Sequence, residues 1–199
     1  MSDSQYFNEQ PTVASSPVLI DVVLADLAFQ LVTDRGVFAR GALDTGTKLL
    51  LSEAPSLPEQ GNFLDLGCGA GPIAVTMALR RPSSTVWAVD INERARELTA
   101  SNAAANKLPN VRVASPDSVP PETCFDVIWS NPPIRIGKDA LHDLLNTWLG
   151  RLSERGVAIL VVQRHLGADS LADWLSTSGY AVVRLRSRAG YRLLDVRRR

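Results

Sequence analysis

From residue 62 onward, short apolar runs alternate with segments of helical character, and this alternation constrains the fold more than any other feature of the chain. The runs predicted to be buried strands are 62–66, 85–90, 111–114, 125–130 and 157–162. The segments predicted to be helices are 71–80, 92–106, 138–152 and 168–178. Strands that alternate with helices form parallel βαβ units, so the sequence predicts an α/β fold built on a doubly wound sheet. The carboxyl ends of the strands should meet at one edge, where such folds bind ligands.

Both ends of the chain are predicted to add a hairpin to this alternating core. Near the carboxyl end, residues 180–185 and 191–196 should pair around a turn at residues 188–190. Near the amino end, residues 18–38 should form two extended stretches that are joined by Asp-Arg-Gly at residues 34–36. The sheet should therefore be flanked by antiparallel pairs at both ends of the sequence.

The remaining N-terminal residues are predicted to be less regular. A short helix is expected at residues 47–53, ended by Pro55. Residues 1–17 are mostly polar and should form a loose lead-in. We expect residues 18–199 to be a single domain, with residues 18–61 as its N-terminal hairpin and helix extension.

Composition excludes several classes of protein. The hydrophobic fraction of 45% and the charged fraction of 21% are ordinary for a globular chain. No apolar run approaches the roughly 18 residues of a membrane span, and the first residues lack the pattern of a signal peptide. Cys68 and Cys124 are too few for a disulfide framework, and the isolated His142 and His165 show no metal-ligand spacing. We expect a cytoplasmic protein without a metal or membrane contact, and a monomer rather than an oligomer.

Charge is unevenly distributed along a chain whose formal net charge is zero. Residues 1–61 carry eight acids and three bases, whereas residues 180–199 carry seven arginines and one aspartate. A basic end is typical of proteins that contact a polyanion such as nucleic acid. A solvated terminal tail is the other interpretation, and the sequence leaves both open.

The first chemical motif is Asp-Leu-Gly-Cys-Gly-Ala-Gly at residues 65–71, between a predicted strand and its helix. Gly67, Gly69 and Gly71 let the backbone turn tightly and approach a ligand where a Cβ would clash. The G-x-G-x-G spacing differs from the G-x-G-x-x-G of NAD-binding folds. Asp65 stands where it can bind the ammonium group of a bound amino acid. These two details favour S-adenosylmethionine over NAD as the cofactor, and a tight turn without a ligand is the alternative.

The second motif is Asp90, at the end of the next predicted strand and 19 residues after Gly71. An acid at this point accepts hydrogen bonds from the ribose hydroxyls of a nucleotide. Ile91, which follows it, is included among the predicted cofactor contacts. A partial cap for the helix that begins near Asn92 is the structural alternative, and both roles can hold together.

The third motif is Ser-Asn-Pro-Pro-Ile at residues 130–134, after the fourth strand of the alternation. Each proline fixes its own φ and restricts the residue before it, so the segment is rigid and extended. The amide oxygen of Asn131 and the carbonyl of Pro132 can then accept the two hydrogens of a planar amine and turn its lone pair toward a methyl donor. Asn131 and Pro132 are the predicted catalytic residues. An aspartate at 131 should retain an acceptor and part of the activity. A proline-rich turn without chemistry is the alternative.

Together these motifs resemble class I S-adenosylmethionine-dependent methyltransferases that act on nitrogen. More narrowly, the chain is similar to the small-domain family typified by the ribosomal small-subunit RNA guanine-N2 methyltransferase of the C type and its single-domain archaeal relatives. The likeness covers about residues 18–196. The segments that carry it are 37–38 with 43–51, the glycine segment, 131–138 and Gly-Tyr-Arg at 190–192.

The resemblance implies a Rossmann-like sheet of seven strands, mostly parallel with an antiparallel last strand, and with helices on both faces. It places Asp44, Gly46 and Thr47 beside the methionine end of the cofactor and Asp117 at its adenine. It makes Asn131, itself beside the cofactor, the residue that holds the target amine. The residues expected to bind the substrate are Pro133, Ile134, Arg135, Lys138, Tyr191 and Arg192. The cations among them are expected to contact RNA phosphates.

The implied reaction is methylation of an exocyclic amine, and the implied target is guanine N2 in ribosomal RNA. The chain departs from the family in two ways. The residue after Asn-Pro-Pro is often aromatic and stacks on the base, but here it is Ile134. A length of 199 residues also leaves no room for the degenerate second domain of the bacterial enzymes. Protein glutamine N5 and adenine N6 are alternative targets because each presents a planar NH₂ group, and a non-catalytic RNA-binding module is a further alternative.

Overall fold

The computed structural model describes residues 14–37 and 41–199. Most of the predicted lead-in lies outside the described residues, as does Phe38 of the segment that resembles the methyltransferase family. In the described part of the chain, no helix has both the length and the apolar character needed to cross a membrane.

Strands and helices alternate through the described residues as the sequence predicts. The strands are β1 (Val18–Val23), β2 (Ala28–Thr33), β3 (Asn62–Leu66), β4 (Thr85–Val89), β5 (Val111–Ala114), β6 (Phe125–Ser130), β7 (Leu152–Gln163), β8 (Tyr180–Arg188) and β9 (Tyr191–Arg198). The α-helices are α1 (Thr45–Glu53), α2 (Pro72–Arg80), α3 (Glu93–Ala105), α4 (Lys138–Leu149) and α5 (Ala168–Thr177). The bounds of β3, β5 and β6 are those predicted from the apolar runs.

The main sheet has the strand order β5-β4-β3-β6-β7-β9-β8. β3 pairs in parallel with β4 and β6, and β5 and β7 continue the parallel pairing on either side. β9 is antiparallel to both of its neighbours, β7 and β8. The prediction of a mostly parallel, seven-stranded sheet with an antiparallel last strand is therefore confirmed.

The two faces of this sheet are covered by different helices. In β3, Phe63 packs in one apolar cluster with α1 and α2, whereas Leu64 packs in another with α4 and α5. Both side chains are completely buried. The separation follows from the period of two along a strand, which sends successive side chains to opposite faces. Helices on both faces leave the strand ends as the place where loops can build a site.

β1 and β2 form a separate two-stranded sheet that packs on α2 and α3. Asn102 of α3 connects this hairpin to the glycine segment. Its Oδ1 accepts from the backbone N–H of Val32 at 2.8 Å, and its Nδ2 donates to the carbonyl of Ala70, also at 2.8 Å. The N-terminal extension therefore helps to hold the loop that follows β3.

Most predicted boundaries lie within three residues of the observed ones, and two differ by more. The turn between β1 and β2 lies at residues 24–27, where the N–H of Leu24 donates to the carbonyl of Leu27 at 2.8 Å. The Asp-Arg-Gly segment at 34–36 instead follows β2, and Val37 after it packs against Ala70 and Ala95. β7 begins at Leu152 rather than at 157, because Leu152 pairs with Phe125 ahead of a register shift. The polar residues between Leu152 and the apolar run concealed the start of this strand.

Candidate active site

The loops that follow β3, β4, β6 and β7 surround a cavity of about 420 Å³ at the carboxyl edge of the sheet. β3 and β6 are neighbours here. From β3 the chain continues outward to β4 and β5 on one side, and from β6 it continues to β7 on the other side. Open α/β sheets bind ligands at such a switch point. The predicted site residues found in the cavity wall are Asp44, Thr47, Gly67, Gly69, Asp90, Asn131, Pro132, Pro133, Ile134, Arg135 and Tyr191.

The glycine segment forms a backbone cradle in this wall. Gly67 and Gly69 have φ angles of +78° and +57° and both line the cavity. A Cβ added to Gly67 would meet no protein atom within 4 Å, so this side of the backbone faces space that a ligand can occupy. Gly71 has a different role and lies outside the wall, because a Cβ there would stand 2.9 Å from Thr99 of α3. Close packing between two elements, not ligand approach, requires glycine at 71.

Asp90 joins the loops that follow β3 and β4. Its Oδ2 accepts from the N–H of Gly69 at 2.9 Å, and its Oδ1 accepts from the N–H of Asn92 at 2.9 Å. Asn92, not Asp90, caps α3 by accepting from the N–H of Ala95. Burial raises the pKa of Asp90, and the N–H donors oppose this effect. Because each carboxylate oxygen has a second lone pair, Asp90 can also accept hydrogen bonds from a ligand.

Asp65 lies below the glycine segment and not in the cavity wall. The residue is fully buried, and its Oδ2 accepts from the N–H of Ala74 in the first turn of α2 at 2.9 Å. Its Oδ1 has no hydrogen-bond partner among the described residues. Burial, with a smaller contribution from Asp90, raises the pKa of Asp65 to about 8. The expected contact with a ligand ammonium group is therefore corrected, because the carboxyl group serves the start of α2.

Asn131 is held by residues far away in the sequence. Its Nδ2 donates to Oδ2 of Asp44 at 2.8 Å and to Oγ1 of Thr47 at 3.1 Å. Both amide hydrogens are thereby engaged, and Oδ1 is left as the free polar atom of a side chain that lines the cavity. The amide therefore presents an acceptor to any ligand that reaches it.

The first turn of α1 supplies these partners of Asn131. Asp44 is the N-cap of α1, and its Oδ2 also accepts from the N–H of Thr47 at 2.9 Å. Gly46 lies outside the cavity wall but packs so closely that a Cβ would stand 2.7 Å from Cε1 of Tyr191. Burial raises the pKa of Tyr191, and the nearby Asp44 adds to the shift. α1 and β9 thus meet beside Asn131.

The backbone after Asn131 contributes a second acceptor that is already in use. The carbonyl of Pro132 accepts from the N–H of Ile134 at 2.8 Å. A carbonyl oxygen has two lone pairs, so one remains for an amine hydrogen. Pro132 can therefore assist Asn131, with weaker acceptor capacity than a free carbonyl.

The predicted basic contacts are only partly brought to the cavity. Arg135 lines the wall, but Lys138 is an exposed residue at the start of α4, outside it. Arg192 is next to Tyr191 on β9, so the period of two turns it toward the opposite face of the sheet. There it pairs with Asp169 of α5. The expectation that Arg192 binds substrate at this cavity is therefore corrected.

Two predicted cofactor contacts also lie outside the wall. The side chain of Ile91 is 47% exposed beside Asp90. Asp117 is exposed in a short 3₁₀ turn, Pro116–Ser118, that follows β5. Neither residue is among those that line the cavity.

Sequence reasoning missed several residues that complete the wall. These are Val37, Leu43, Cys68, Ala70, Pro72, Ile73, Asn92, Ala95, Gln163 and Leu166. Gln163 and Leu166 carried a usable signal, because they follow a predicted strand at the same edge as Asn131. The described residues contain no group of three or more His, Cys, Asp or Glu side chains that could hold a metal ion.

The fold and site define a class of ligand-binding α/β proteins. Its features are a parallel sheet with a glycine cradle, an acid after the second parallel strand, and Asn-Pro-Pro after the fourth. The family model for the methyltransferase small domain matches residues 28–195. The chain therefore belongs to the methyltransferase small domain family, which confirms the resemblance found in the sequence.

Three relatives show how far the likeness extends. The uncharacterized protein YbxB of Bacillus subtilis (strain 168) is 31% identical over 196 residues, which cover 97% of this chain and 98% of that protein. The ribosomal RNA small subunit methyltransferase C of Shewanella loihica is 32% identical over 185 residues, which cover 89% of this chain and 54% of that protein. A solved structure, the T. thermophilus 16S rRNA N2 G1207 methyltransferase in complex with AdoMet and guanosine, is similar with a TM-score of 0.74 and 23% identity, covering 95% of this chain and 52% of that one. The chain thus spans about half the length of these two methyltransferases.

Proposed function

We propose that this protein is an S-adenosylmethionine-dependent N-methyltransferase that acts on an exocyclic amine, guanine N2 of ribosomal RNA. The observation that carries the proposal is the fixed amide of Asn131, which lines the cavity. Its donors are bound to Asp44 and Thr47, and its oxygen is left free. A fixed acceptor beside a nucleotide-type cradle is what transfer of a methyl group to an NH₂ group requires. The names of the ribosomal RNA methyltransferase relatives support the choice of substrate.

The cavity fits S-adenosylmethionine in its donor and acceptor set. The open side of Gly67 and the loop at Gly69 would lie against the amino-acid portion, and Asp90 would accept from the ribose hydroxyls. Cys68 and Ile73 add apolar surface to the same wall. When bound, this cofactor supplies an electrophilic methyl group.

Asn131 would act on the amine, not on the methyl group. Its Oδ1 and the remaining lone pair of the Pro132 carbonyl accept the two hydrogens, which favours a pyramidal nitrogen with its lone pair directed away from both acceptors. The new N–C bond forms as the S–C bond breaks, and the nitrogen then releases a proton to solvent. Because the nitrogen becomes acidic only as it gains the methyl group, a strong base is not required. Preorganised acceptors of this kind act by electrostatic stabilisation of the transition state.

Cations near the cavity would give the sequence-independent part of RNA affinity. Arg135 lies in the wall, and Lys138 is exposed one helical turn beyond the Asn-Pro-Pro segment. Arg164 is exposed in the 3₁₀ turn that follows β7. Arg135 and Arg164 lie in the turns that follow β6 and β7, and Lys138 begins α4. All three are at the edge of the sheet that the backbone of a bound nucleotide would approach.

Methylation of a protein glutamine amide is a second candidate. Ile134 occupies the position where an aromatic side chain would stack on a base, and an aliphatic wall accepts a glutamine side chain equally well. Adenine N6 shares the planar NH₂ group, and a binding module without catalysis would not need the fixed amide of Asn131. The product of the reaction distinguishes these possibilities.

The test uses small ribosomal subunits from a strain that lacks the gene, incubated with purified protein and methyl-labelled S-adenosylmethionine. We expect mass spectrometry of the digested RNA to show labelled N2-methylguanosine. Asn131→Ala should lower the rate of product formation by about a hundredfold or more. Asn146→Ala, which changes an exposed asparagine of α4, should behave as wild type. Label in ribosomal protein, or in N6-methyladenosine, would replace the proposed substrate with one of the alternatives.

A further inference from the structure

The part of the cavity next to β7 contains a polar side chain that the proposed mechanism does not use. Gln163 is the last residue of β7, and it lines the cavity while half-buried. No hydrogen bond joins its carboxamide to another described residue. A carboxamide carries an acceptor and two donors, and those of Gln163 are left for a ligand or solvent in the cavity. The position therefore suits a group that pairs with a ligand.

The sheet order places Gln163 one strand beyond Asn131. The cradle residues follow β3 and β4, Asn131 follows β6, and Gln163 ends β7. The cofactor would occupy the β3 and β4 side, so β7 lies on the substrate side of the reacting amine. Gln163 also pairs in register with Tyr191, whose ring packs against Gly46 at the helix that holds Asn131. Gln163 and Asn131 therefore border the same part of the cavity.

Two aliphatic side chains accompany Gln163. Ile134 follows Asn131 on the β6 loop, and Leu166 lies in the 3₁₀ turn that follows Gln163. Leu166 is 38% exposed although it is a large apolar residue. Apolar surface on the two adjacent loops, with a carboxamide between them, matches a flat ring that has a polar edge. Enzymes that modify bases read that edge with hydrogen bonds.

We infer that Gln163 is a specificity-determining residue that reads the Watson–Crick edge of guanine, an inference that rests on the proposed function. With N2 of guanine at Asn131, the edge continues to the N1–H donor and then to the O6 acceptor. This edge runs a length comparable to the spacing of neighbouring strands, about 4.8 Å. Oε1 of Gln163 accepts from N1–H, and Nε2 donates to O6. Adenine held by its N6 offers an acceptor at N1 and a carbon beyond it, so it satisfies only one of the two groups.

The test compares two nucleotides that share the N2 amine. Guanosine 5′-monophosphate has N1–H and O6, whereas 2-aminopurine riboside 5′-monophosphate has neither. The full chain, saturated with S-adenosylhomocysteine, is titrated with each. Wild-type protein should bind the guanine nucleotide about tenfold or more tightly, the scale of two hydrogen bonds lost to an unpaired wall. Gln163→Leu should bind both nucleotides equally, and Gln60→Leu, an exposed glutamine of the loop before β3, should keep the preference.

Gln163→Glu gives a second, nearly isosteric variant. It retains an acceptor for N1–H but opposes O6 with a second acceptor, so the preference for guanine should fall below that of wild type. Unchanged affinity for S-adenosylhomocysteine shows that each variant is folded. If Gln163→Leu kept the full guanine preference, the assignment of Gln163 would be overturned while the proposed function stood. If the wild type bound neither nucleotide, or preferred adenosine monophosphate, the guanine substrate itself would be overturned.

Discussion

At the scale of single residues, the effect of substituting Asn131 depends on which of its side-chain atoms are already hydrogen-bonded within the protein. Its Nδ2 lies 2.8 Å from a carboxylate oxygen of Asp44. An aspartate at 131 would therefore set two carboxylates against each other, and this changes the expectation drawn from the sequence that such a variant keeps part of the activity. Like charges at this distance favour sharing of one proton.

We therefore expect Asn131→Ala and Asn131→Asp each to lower turnover by about a hundredfold or more. The aspartate variant should regain part of its activity as the pH falls, because a proton between residues 131 and 44 restores the hydrogen bond. The alanine variant should not respond to pH in this way. Turnover measured from pH 5 to pH 8 for both variants checks the claim, and a flat profile for the aspartate variant would contradict it. Affinity for S-adenosylhomocysteine, the control, should stay within a few-fold of wild type.

Gly67 and Gly71 share a positive φ but should respond differently to a methyl group. Both alanine variants carry the cost of a left-handed conformation, about 1–2 kcal/mol. A Cβ at Gly67 enters open cavity, whereas one at Gly71 collides with Thr99 at 2.9 Å. Gly67→Ala should lower cofactor affinity with a modest loss of stability. Gly71→Ala should lower stability by about 1–3 kcal/mol more, from overpacking, and change affinity little. Calorimetric titration and thermal unfolding separate the two effects, and the reverse pattern would refute this division of roles.

At the scale of elements, the contact between α1 and β9 sets the position of Asn131. Gly46 allows the first turn of α1 to lie against the ring of Tyr191, with 2.7 Å between an added Cβ and Cε1. The same turn carries both partners of the Asn131 amide. A displacement of α1 should therefore displace the Asn131 amide, although Gly46 does not line the cavity.

Gly46→Ala should lower both the melting temperature and turnover, because the helix or the ring must move. In a Tyr191→Leu background the same change should cost less, since a flexible side chain gives way. The expected coupling in a double-mutant cycle is about 0.5–3 kcal/mol, the range for residues in contact. Additive effects of the two substitutions would show that α1 and β9 do not constrain each other. Turnover of each variant at saturating cofactor completes the measurement.

At the scale of the whole molecule, Asp65 makes stability depend on pH. Its pKa in the folded protein is about 8, whereas an unfolded chain ionises it near 3.8. Between these values the folded protein holds one more proton than the unfolded chain. Folding stability should therefore fall as the pH rises through this window, by up to about 1.4 kcal/mol per pH unit, and level off above it.

Asp65→Asn removes this titration and retains an oxygen that can accept from Ala74. The free energy of unfolding of the variant should therefore rise relative to wild type between pH 5 and pH 8. Urea denaturation of both proteins at several pH values measures the difference, in which titrations common to both cancel. If the difference in the free energy of unfolding between the two proteins did not change with pH, Asp65 would be ionised in the folded protein throughout this range, and the prediction would be wrong.

The fold also determines which of the C-terminal arginines are paired within the protein. β9 continues to Arg198, so the basic end belongs to the sheet and is not a terminal tail. Arg186 and Arg188 each lie 3.3 Å from Glu53, and Arg184 lies 2.8 Å from Asp169. Much of the C-terminal positive charge is therefore paired within the protein. We therefore expect a polyanion to contact the cations beside the cavity rather than the C-terminal arginines.

The sequence alone determined the parts of this protein that depend on near neighbours. The bounds of β3, β5 and β6, the glycine cradle and the rigid Asn-Pro-Pro segment follow from apolar runs, backbone freedom and proline geometry, all of which act over a few residues. The order of these motifs along the chain was enough to indicate the family. The placement of the strand ends along one edge followed because βαβ units connect with one handedness.

Tertiary structure decided where each side chain points and what it meets. The partners of Asn131 come from residues 44 and 47, which only the packing of α1 brings near. Arg192 and Tyr191 are adjacent in sequence, yet register on β9 sends one to Asp169 and the other to the cavity. Burial turned Asp65 from an expected ligand contact into a support for α2, and strand order brought Gln163 beside the site. Contacts between distant residues and exclusion of water are set by the whole packed sheet, so no local pattern encodes them.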